Sequence, residues 1–317
     1  VTRPVPSDDL ASAYRRCRQL AAEHGRTYFL ATRLLPAERR PGVHALYGFA
    51  RTVDDIVDVD CSGRTPLERA AMLDVVEAQL NDALAGRPVD DSCAGPVLPA
   101  LTDTIGRYAI PVEYFCAFLD SMRMDIPGTP TFRATYPDMA ALKRYMYGSA
   151  EVIGLQMLPI LGTTVPVDEA EPHAAALGEA FQLTNFLRDF GEDLDRGRVY
   201  LPADELEAFG VDIELVQHCR RTGTIDRRLR RALAHFVAVA RSVYRRAEPG
   251  LDMLEPRARP GMRAAYILYA EILDEIEKSG FRVFDRRAAV PRHRRLTVAL
   301  PLLACSIVGS WSLLGAR

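Results

Sequence analysis

The chain lacks the short signatures that mark most cofactor and metal-cage enzymes. It has no CxxC pair, no His-Cys cluster, no GxGxxG turn and no GKS/T phosphate loop. The six cysteines (Cys17, Cys61, Cys93, Cys116, Cys219, Cys305) are scattered. That excludes a zinc ribbon or a disulfide frame and points to a reducing, cytoplasmic setting. Charge of one sign is also missing. Lys and Arg total 40 against 42 Asp and Glu, a formal net charge of −2, so no global basic field draws nucleic acid. There is no internal repeat and no low-complexity tract. No convincing run alternates with the period of a strand, which disfavours a sheet protein. The N-terminal VTRPVPSDDL holds no apolar signal core.

What is present is helical periodicity. With 317 residues, 48% of them hydrophobic, the chain is long enough for one domain, 1–317, with a sizeable core. Apolar residues recur at helical spacing over roughly 8–24, 37–59, 66–86, 97–107, 111–125, 138–162, 168–195, 226–250 and 260–279. An all-α single domain is expected. The Pro/Gly-containing stretches 86–96 and 127–137 read as surface loops. Dense arginine at 227–231, 245–246 and 286–295 reads as solvated helix faces. Leu296 to Ala316 carries no charge and follows Arg292, Arg294 and Arg295. Pro301, Ser306, Gly309, Ser310 and Ser312 make it a poor membrane span. The apolar segment 296–317 is expected to dock on the body, with peripheral membrane contact as the alternative.

Two aspartate pairs carry the chemistry. FARTVDDIVD places Asp54 and Asp58 four residues apart, and NFLRDFGEDLDRGRVYLP does the same for Asp189 and Asp193. On a helix, each pair shares one face. In the first segment, His44, Tyr47, Arg51, Asp54 and Asp58 form a narrow polar seam. Val43, Leu46, Ala50, Val53 and Val57 line the neighbouring stripe. A mostly apolar cylinder with so thin a polar edge is expected to be buried, its seam facing a cavity. The second seam runs Gly178, Gln182, Asn185, Asp189 and Asp193, with Arg188 and Arg198 nearby. Asn185 can add a further oxygen. Opposed seams would make an oxygen cage suited to Mg²⁺ and substrate phosphates. The plainer alternatives are a solvated acidic edge and surface Arg–Asp pairs. Between the seams lies LKRYMYGSAEVIGLQMLP (142–159). Its small residues Gly148, Ser149, Ala150 and Gly154 permit either close helix packing or a tunnel for an apolar chain.

These segments together resemble the squalene/phytoene synthase family, most closely its bacterial phytoene synthases. The likeness runs from about His24 to Arg295. It is carried by HGRTYFLATRLLP (24–36), ALYGFARTVDDIVD (45–58), YMYGSAEVIG (145–154) and ILDEIEKSGFRVFDRR (272–287). Its most specific part is QLTNFLRDFGEDLDRGRVYLP (182–202). The resemblance implies an isoprenoid synthase fold, a helical bundle around a central active-site cavity. Asp54, Asp58, Asn185, Asp189 and Asp193 would hold diphosphate through Mg²⁺, with Mn²⁺ as a substitute. Arg51, Arg198, Tyr269 and Arg286 would contact diphosphate, the register between Arg286 and Arg287 staying open. His24, Tyr145 and Gln182 match further site positions. Tyr145, Tyr147 and Phe181 are candidates to face a carbocation with their rings.

The implied reaction is head-to-head condensation of two geranylgeranyl diphosphates. It passes through a cyclopropyl (prephytoene) diphosphate to phytoene, in carotenoid biosynthesis, with no NADPH expected. The alternatives are synthases that use farnesyl diphosphate to make dehydrosqualene, squalene or presqualene diphosphate, a terpene cyclase of the same fold, or a non-catalytic lipid-binding relative. A product this apolar would pass to lipid or to downstream carotenoid enzymes. Glu151 departs from the pattern, standing where many relatives have glycine. It is expected to point away from the tunnel or to pair with an arginine, since a lone carboxylate in an apolar channel is costly.

Overall fold

The apolar stripes read in the sequence pack helix against helix. The computed structural model describes residues 7–58, 63–91, 93–285, 287–291, 293–294 and 297–298. Arg286 and nearly all of the 296–317 segment lie outside the described residues. Among those described, the order is α1 (Ser7–His24), α2 (Arg26–Thr32), α3 (Arg40–Val57), α4 (Pro66–Leu84), α5 (Leu98–Tyr108), α6 (Glu113–Arg123) and α7 (Met139–Met146). A π-helical turn, Tyr147–Glu151, leads into α8 (Val152–Leu161). Then follow α9 (Val167–Arg188), α10 (Phe190–Asp195), α11 (Ala203–Ala208), α12 (Ile213–Thr222), α13 (Arg227–Met253) and α14 (Arg259–Lys278). No strand occurs among the described residues, only isolated bridges joining Thr135 to Val199 and Thr163 to Leu254.

Local chemistry sets several helix starts. Thr65 and Glu68 form a reciprocal capping box ahead of α4, with Pro66 in the first turn. Asp138, Asp212 and Asp226 each accept a backbone N–H at the starts of α7, α12 and α13. The arginines at 227, 228, 230 and 231 are exposed on α13, as a solvated face should be.

Two large apolar clusters form the core. One joins α9, α13 and α14 through residues such as Leu183, Phe236 and Leu273. The other gathers α1, α3, α4, α5 and α6 around Phe49, Leu73, Leu101 and Phe115. The two acidic motifs therefore belong to different clusters: Asp54 follows Val53 of the second, and Asp189 lies between Leu187 and Phe190 of the first.

The structure corrects several expectations. The helix expected over 138–162 is interrupted by the π-helical turn. The helix expected over 168–195 breaks at Asp189, whose φ of −100° and ψ of 9° leave helical geometry. Both irregularities fall beside functional motifs, where π-turns and breaks are frequent. The 127–137 stretch is not simply a surface loop. Tyr136 is 2% exposed. The Ala134 and Tyr136 carbonyls accept the N–H groups of Val199 and Ala203 at 2.8 and 2.9 Å, tying that stretch beneath the second motif. Three helices escaped the periodicity reading, α2, α11 and α12, of 7, 6 and 10 residues. Runs this short show too few turns for a 3.6-residue pattern to stand out.

The glycines between the seams serve close packing. A Cβ on Gly154 would lie 2.1 Å from the Ala174 carbonyl oxygen, and one on Gly178 would lie 2.2 Å from that of Ala150. The backbones of the π-turn, α8 and α9 thus approach as nearly as chains can. No helix among the described residues is long and apolar enough to cross a membrane.

Candidate active site

Burial of α3 on several sides orients its polar seam. Leu46, Phe49, Val53, Ile56 and Val57 enter the core. His44, Tyr47, Arg51, Asp54 and Asp58 are left to line a cavity of about 440 Å³. Across it stand Gln182 and Phe181 of α9, Tyr145 of α7, and Arg198. The remaining wall is largely apolar, with Phe118, Met157, Leu177 and Leu251 among its members. His44 stacks on Phe29 at 5.6 Å, and burial pushes its pKa down to about 4, so it is neutral at physiological pH.

Of the second seam, Gly178 and Gln182 line this cavity, while Asn185, Asp189 and Asp193 do not. Arg196, just past Asp193, places Nη1 3.4 Å from Oδ1 of Asp58. Arg198 lies 3.3 Å from Asp125, and its charge acts on Asp193. Arg51, Asp54, Asp58, Tyr145, Gln182 and Arg198 thus line one cavity, and Asp193 sits beside it. Tyr269 does not line the cavity itself but packs on two residues that do, with ring centroids 4.5 Å from Phe181 and 5.1 Å from Tyr28.

Some expectations shift. Asp189 turns to cations: Arg188 donates to it at 2.8 and 2.5 Å, and Arg287 at 2.7 and 2.9 Å. Arg287 is therefore the described member of the basic turn that meets the acidic motif, while Arg286 stays outside the described residues. His24 is exposed at the end of α1, 3.9 Å from Glu23, and does not line the cavity. Tyr147 is 45% exposed and does not line the cavity, since two residues on from Tyr145 it projects from the opposite side of the helix. Glu151 is absent from the lining, as expected. It neighbours buried Glu179, which Arg246 contacts at 2.5 Å and Lys143 at 3.9 Å.

The electrostatics divide the acids into two kinds. Burial pushes Asp54 up to about 7, and neighbouring Asp58 adds to the rise while Arg51 opposes it. Burial likewise pushes Asp193 to about 7, against the pull of Arg198 and with Asp189 adding to the rise. Burial works on Asp189 too, but its hydrogen bonds from Arg188 and Arg287 outweigh it and hold the carboxyl below the usual range. Two acids thus lack a full complement of positive charge, a condition that a bound cation relieves.

The residues fit a divalent cation that shares its shell with substrate. Asn185 gives its Nδ2 proton to Gln182 at 3.2 Å, but its buried Oδ1 has no partner. The Nε atoms of Arg51 and Arg198 are also buried and unpartnered, although other nitrogens of the same guanidiniums meet Asp55 and Asp125. Among the described residues, no three His, Cys, Asp or Glu side chains gather as a metal cage. Arginines are interleaved between the acids instead. The oxygen cage expected of the two seams is one completed by substrate phosphates, and the side chains alone do not close it. Mg²⁺ does not need them to, since one or two carboxylates suffice when phosphate oxygens complete its shell.

Asp125 was not anticipated. It accepts hydrogen bonds from Tyr145 at 2.6 Å and Tyr200 at 2.8 Å. It lies just beyond α6 in MDIPGTP, far from either aspartate motif, with no periodic partner to flag it.

The likeness to known proteins follows the same residues. The squalene/phytoene synthase family profile matches residues 21–294. The phytoene synthase of Arthrospira platensis is 36% identical over 304 residues, covering 92% of each chain. The 15-cis-phytoene synthase of Synechococcus elongatus is 36% identical over 92% of this chain and 93% of its own. A crystal structure of a dehydrosqualene synthase in complex with a ligand superposes with a TM-score of 0.82 at 26% identity, over 95% of this chain and 98% of that one. A profile match this long, spanning both acidic segments and the cavity between them, places the chain in the squalene/phytoene synthase family.

Proposed function

We propose that this cavity condenses two geranylgeranyl diphosphates head to head, through a cyclopropyl diphosphate, to phytoene. The observation that carries the reading is the pairing of two kinds of unmet demand around one apolar chamber. Buried carboxylates Asp54 and Asp193 and the bare Asn185 oxygen call for a cation. The free Nε donors of Arg51 and Arg198 call for an anion. A magnesium diphosphate satisfies both.

Asp54, Asp58, Asn185, Asp189 and Asp193 are the residues that would hold Mg²⁺, which supplies charge neutralisation for the departing diphosphate. Arg51 and Arg198 clamp the same group and stabilise the charge that develops as the C–O bond breaks. Departure leaves an allylic carbocation. The wall of Phe118, Met157, Leu177 and Leu251 excludes water that would trap it as an alcohol. The rings of Phe181 and Tyr145 face the chamber and can stabilise positive charge. The double bond of the second substrate attacks the cation, and proton loss closes the cyclopropane. A second ionisation, rearrangement and proton loss give the conjugated triene. We read 1–317 as one catalytic unit, because the acids that must act together come from different core clusters.

The relatives named phytoene synthase favour the twenty-carbon substrate. The decisive experiment incubates the protein with farnesyl or geranylgeranyl diphosphate and Mg²⁺, with and without NADPH, followed by mass analysis. Phytoene from the longer substrate, independent of NADPH, is expected. A farnesyl-derived hydrocarbon as the main product would transfer the chain to the dehydrosqualene or squalene reaction, and no hydrocarbon at all would overturn the reading.

A further inference from the structure

Tyr145 is gripped at both ends by one short segment. Ser121 of α6 donates its hydroxyl to the Tyr145 carbonyl oxygen at 2.9 Å. Four residues on, Asp125 accepts the phenol proton at 2.6 Å. Both distances are firm hydrogen bonds, and the second is as short as bonds to a charged acceptor become. The other Asp125 oxygen accepts the Tyr200 hydroxyl at 2.8 Å and lies 3.3 Å from Arg198 Nη1. Asp125 is 6% exposed, Tyr145 2%, Tyr200 6% and Arg198 8%, so the network is buried, and Asp125, Tyr145 and Arg198 border the cavity. Its rings pack on one another, with centroids of Tyr145 and Tyr200 5.4 Å apart and Tyr200 stacked on Phe186 at 4.3 Å.

A phenol has one proton. Once given to Asp125, it cannot be offered to the cavity that Tyr145 lines. With its O–H held by Asp125, the phenol oxygen has only lone pairs left to offer the chamber, the negative end of the group where positive charge forms. A phenol free to rotate could present its proton instead, and an O–H pointed at a carbocation repels it.

We propose that Asp125 is a positioning residue for the condensation: by accepting the hydrogen bond of the Tyr145 phenol, it sets the polarity that the cavity shows to the carbocation. The inference rests on the reading of this cavity as the site of prenyl coupling. Conversion of geranylgeranyl diphosphate by the native enzyme tests that reading. The ratio of a variant to the native enzyme tests the role of Asp125.

Asp125→Asn keeps the shape but offers one acceptor and one N–H₂ donor, so it cannot take both hydroxyl protons. Steady-state assays with geranylgeranyl diphosphate and Mg²⁺ should show kcat falling by about a hundredfold, the scale for loss of a preorganised electrostatic group. KM should stay within about threefold, because substrate diphosphate binding is retained. In a Tyr145→Phe background the same substitution should cost less than about threefold more, since the residue it acts through is gone. Native kcat in Asp125→Asn, or losses that multiply in the double variant, would overturn the proposal. A second measurement needs no Asp125 variant. Proton NMR of the native enzyme should show a far-downfield hydroxyl signal that disappears in Tyr145→Phe and persists in Tyr200→Phe. Its absence from the native spectrum would equally overturn the proposal.

Discussion

Arg196 reaches across the active site to Asp58. Its Nη1 stands 3.4 Å from Oδ1, joining residues 138 positions apart. The contact brings the segment after the second acidic motif against the end of the first. The side chains are 39% and 32% exposed, so the pair is worth no more than ~1 kcal/mol to the fold. Its consequence is local: a guanidinium holds an oxygen that a divalent cation needs.

Arg196→Ala should therefore leave the melting temperature within about 2 °C of the native value. The Mg²⁺ concentration for half-maximal turnover should drop by roughly two- to fivefold, because a competitor for Asp58 has been removed. Titration of activity against Mg²⁺ checks this. A rise in the Mg²⁺ requirement would instead make Arg196 a diphosphate ligand.

Asp54 and Asp193 separate stability from activity. Each is a buried carboxylate pushed up to about 7, so the ionised form is held at a cost. Asp54→Asn and Asp193→Asn remove that cost while keeping the shape. Without metal at pH 8, each variant should melt at or above the native temperature. Turnover should fall by about a hundredfold or more, since an amide is a poor replacement for a charged ligand. Variants that lose stability but keep activity would assign these acids to structure.

How much of this was legible in the sequence depended on the range of the signal. Helices α3, α9 and α13 were legible because their patterns persist over several turns. The seam of α3 could be read because Val53, Ile56 and Val57 crowd Asp54 and Asp58 within the same helix. The meeting of the two seams was inferable only by pairing two matching motifs. The break at Asp189 was not, because Asp189 leaves helical geometry where Arg188 and Arg287 bind it, and Arg287 comes from 98 positions away. Asp125 was invisible for a similar reason, as its partners Tyr145 and Tyr200 are 20 and 75 positions distant. The outward placement of His24 and Tyr147 is not legible in their motifs, because a motif identifies a residue without fixing which way its side chain points.

The same two acids set opposite pH responses for folding and catalysis. Both have an ordinary carboxyl value of 3.8, raised to about 7 by burial in the folded state. Between those values the folded chain binds more protons than the unfolded one. Metal-free stability contributed by these groups is thus present at the acidic end and lost as pH rises toward 7. Melting of metal-free protein should fall by roughly 2–5 °C between pH 5.5 and pH 7.5. Mg²⁺ with inorganic pyrophosphate should flatten that slope, and turnover should climb over the same range as the ligands lose their protons. A melting temperature that rises with pH in metal-free protein would contradict this assignment.

Gly154 offers a test of how closely the chamber walls are fitted. An added Cβ would lie 2.1 Å from the Ala174 carbonyl oxygen, and a backbone atom cannot swing aside. Alanine improves intrinsic helix propensity by up to ~1 kcal/mol, but forced separation of packed helices costs ~1–3 kcal/mol or more. Overlap this deep should put the cost at the upper end, so Gly154→Ala should lower the melting temperature by roughly 4–8 °C. Gly106 in α5 is the control. A Cβ there meets nothing within 4 Å, so Gly106→Ala should be neutral or stabilising. Thermal melts of the two variants decide the matter. If they shift equally, α8 is not held against α9 as tightly as Gly154 and Ala174 imply, and the cavity they border has slack to widen.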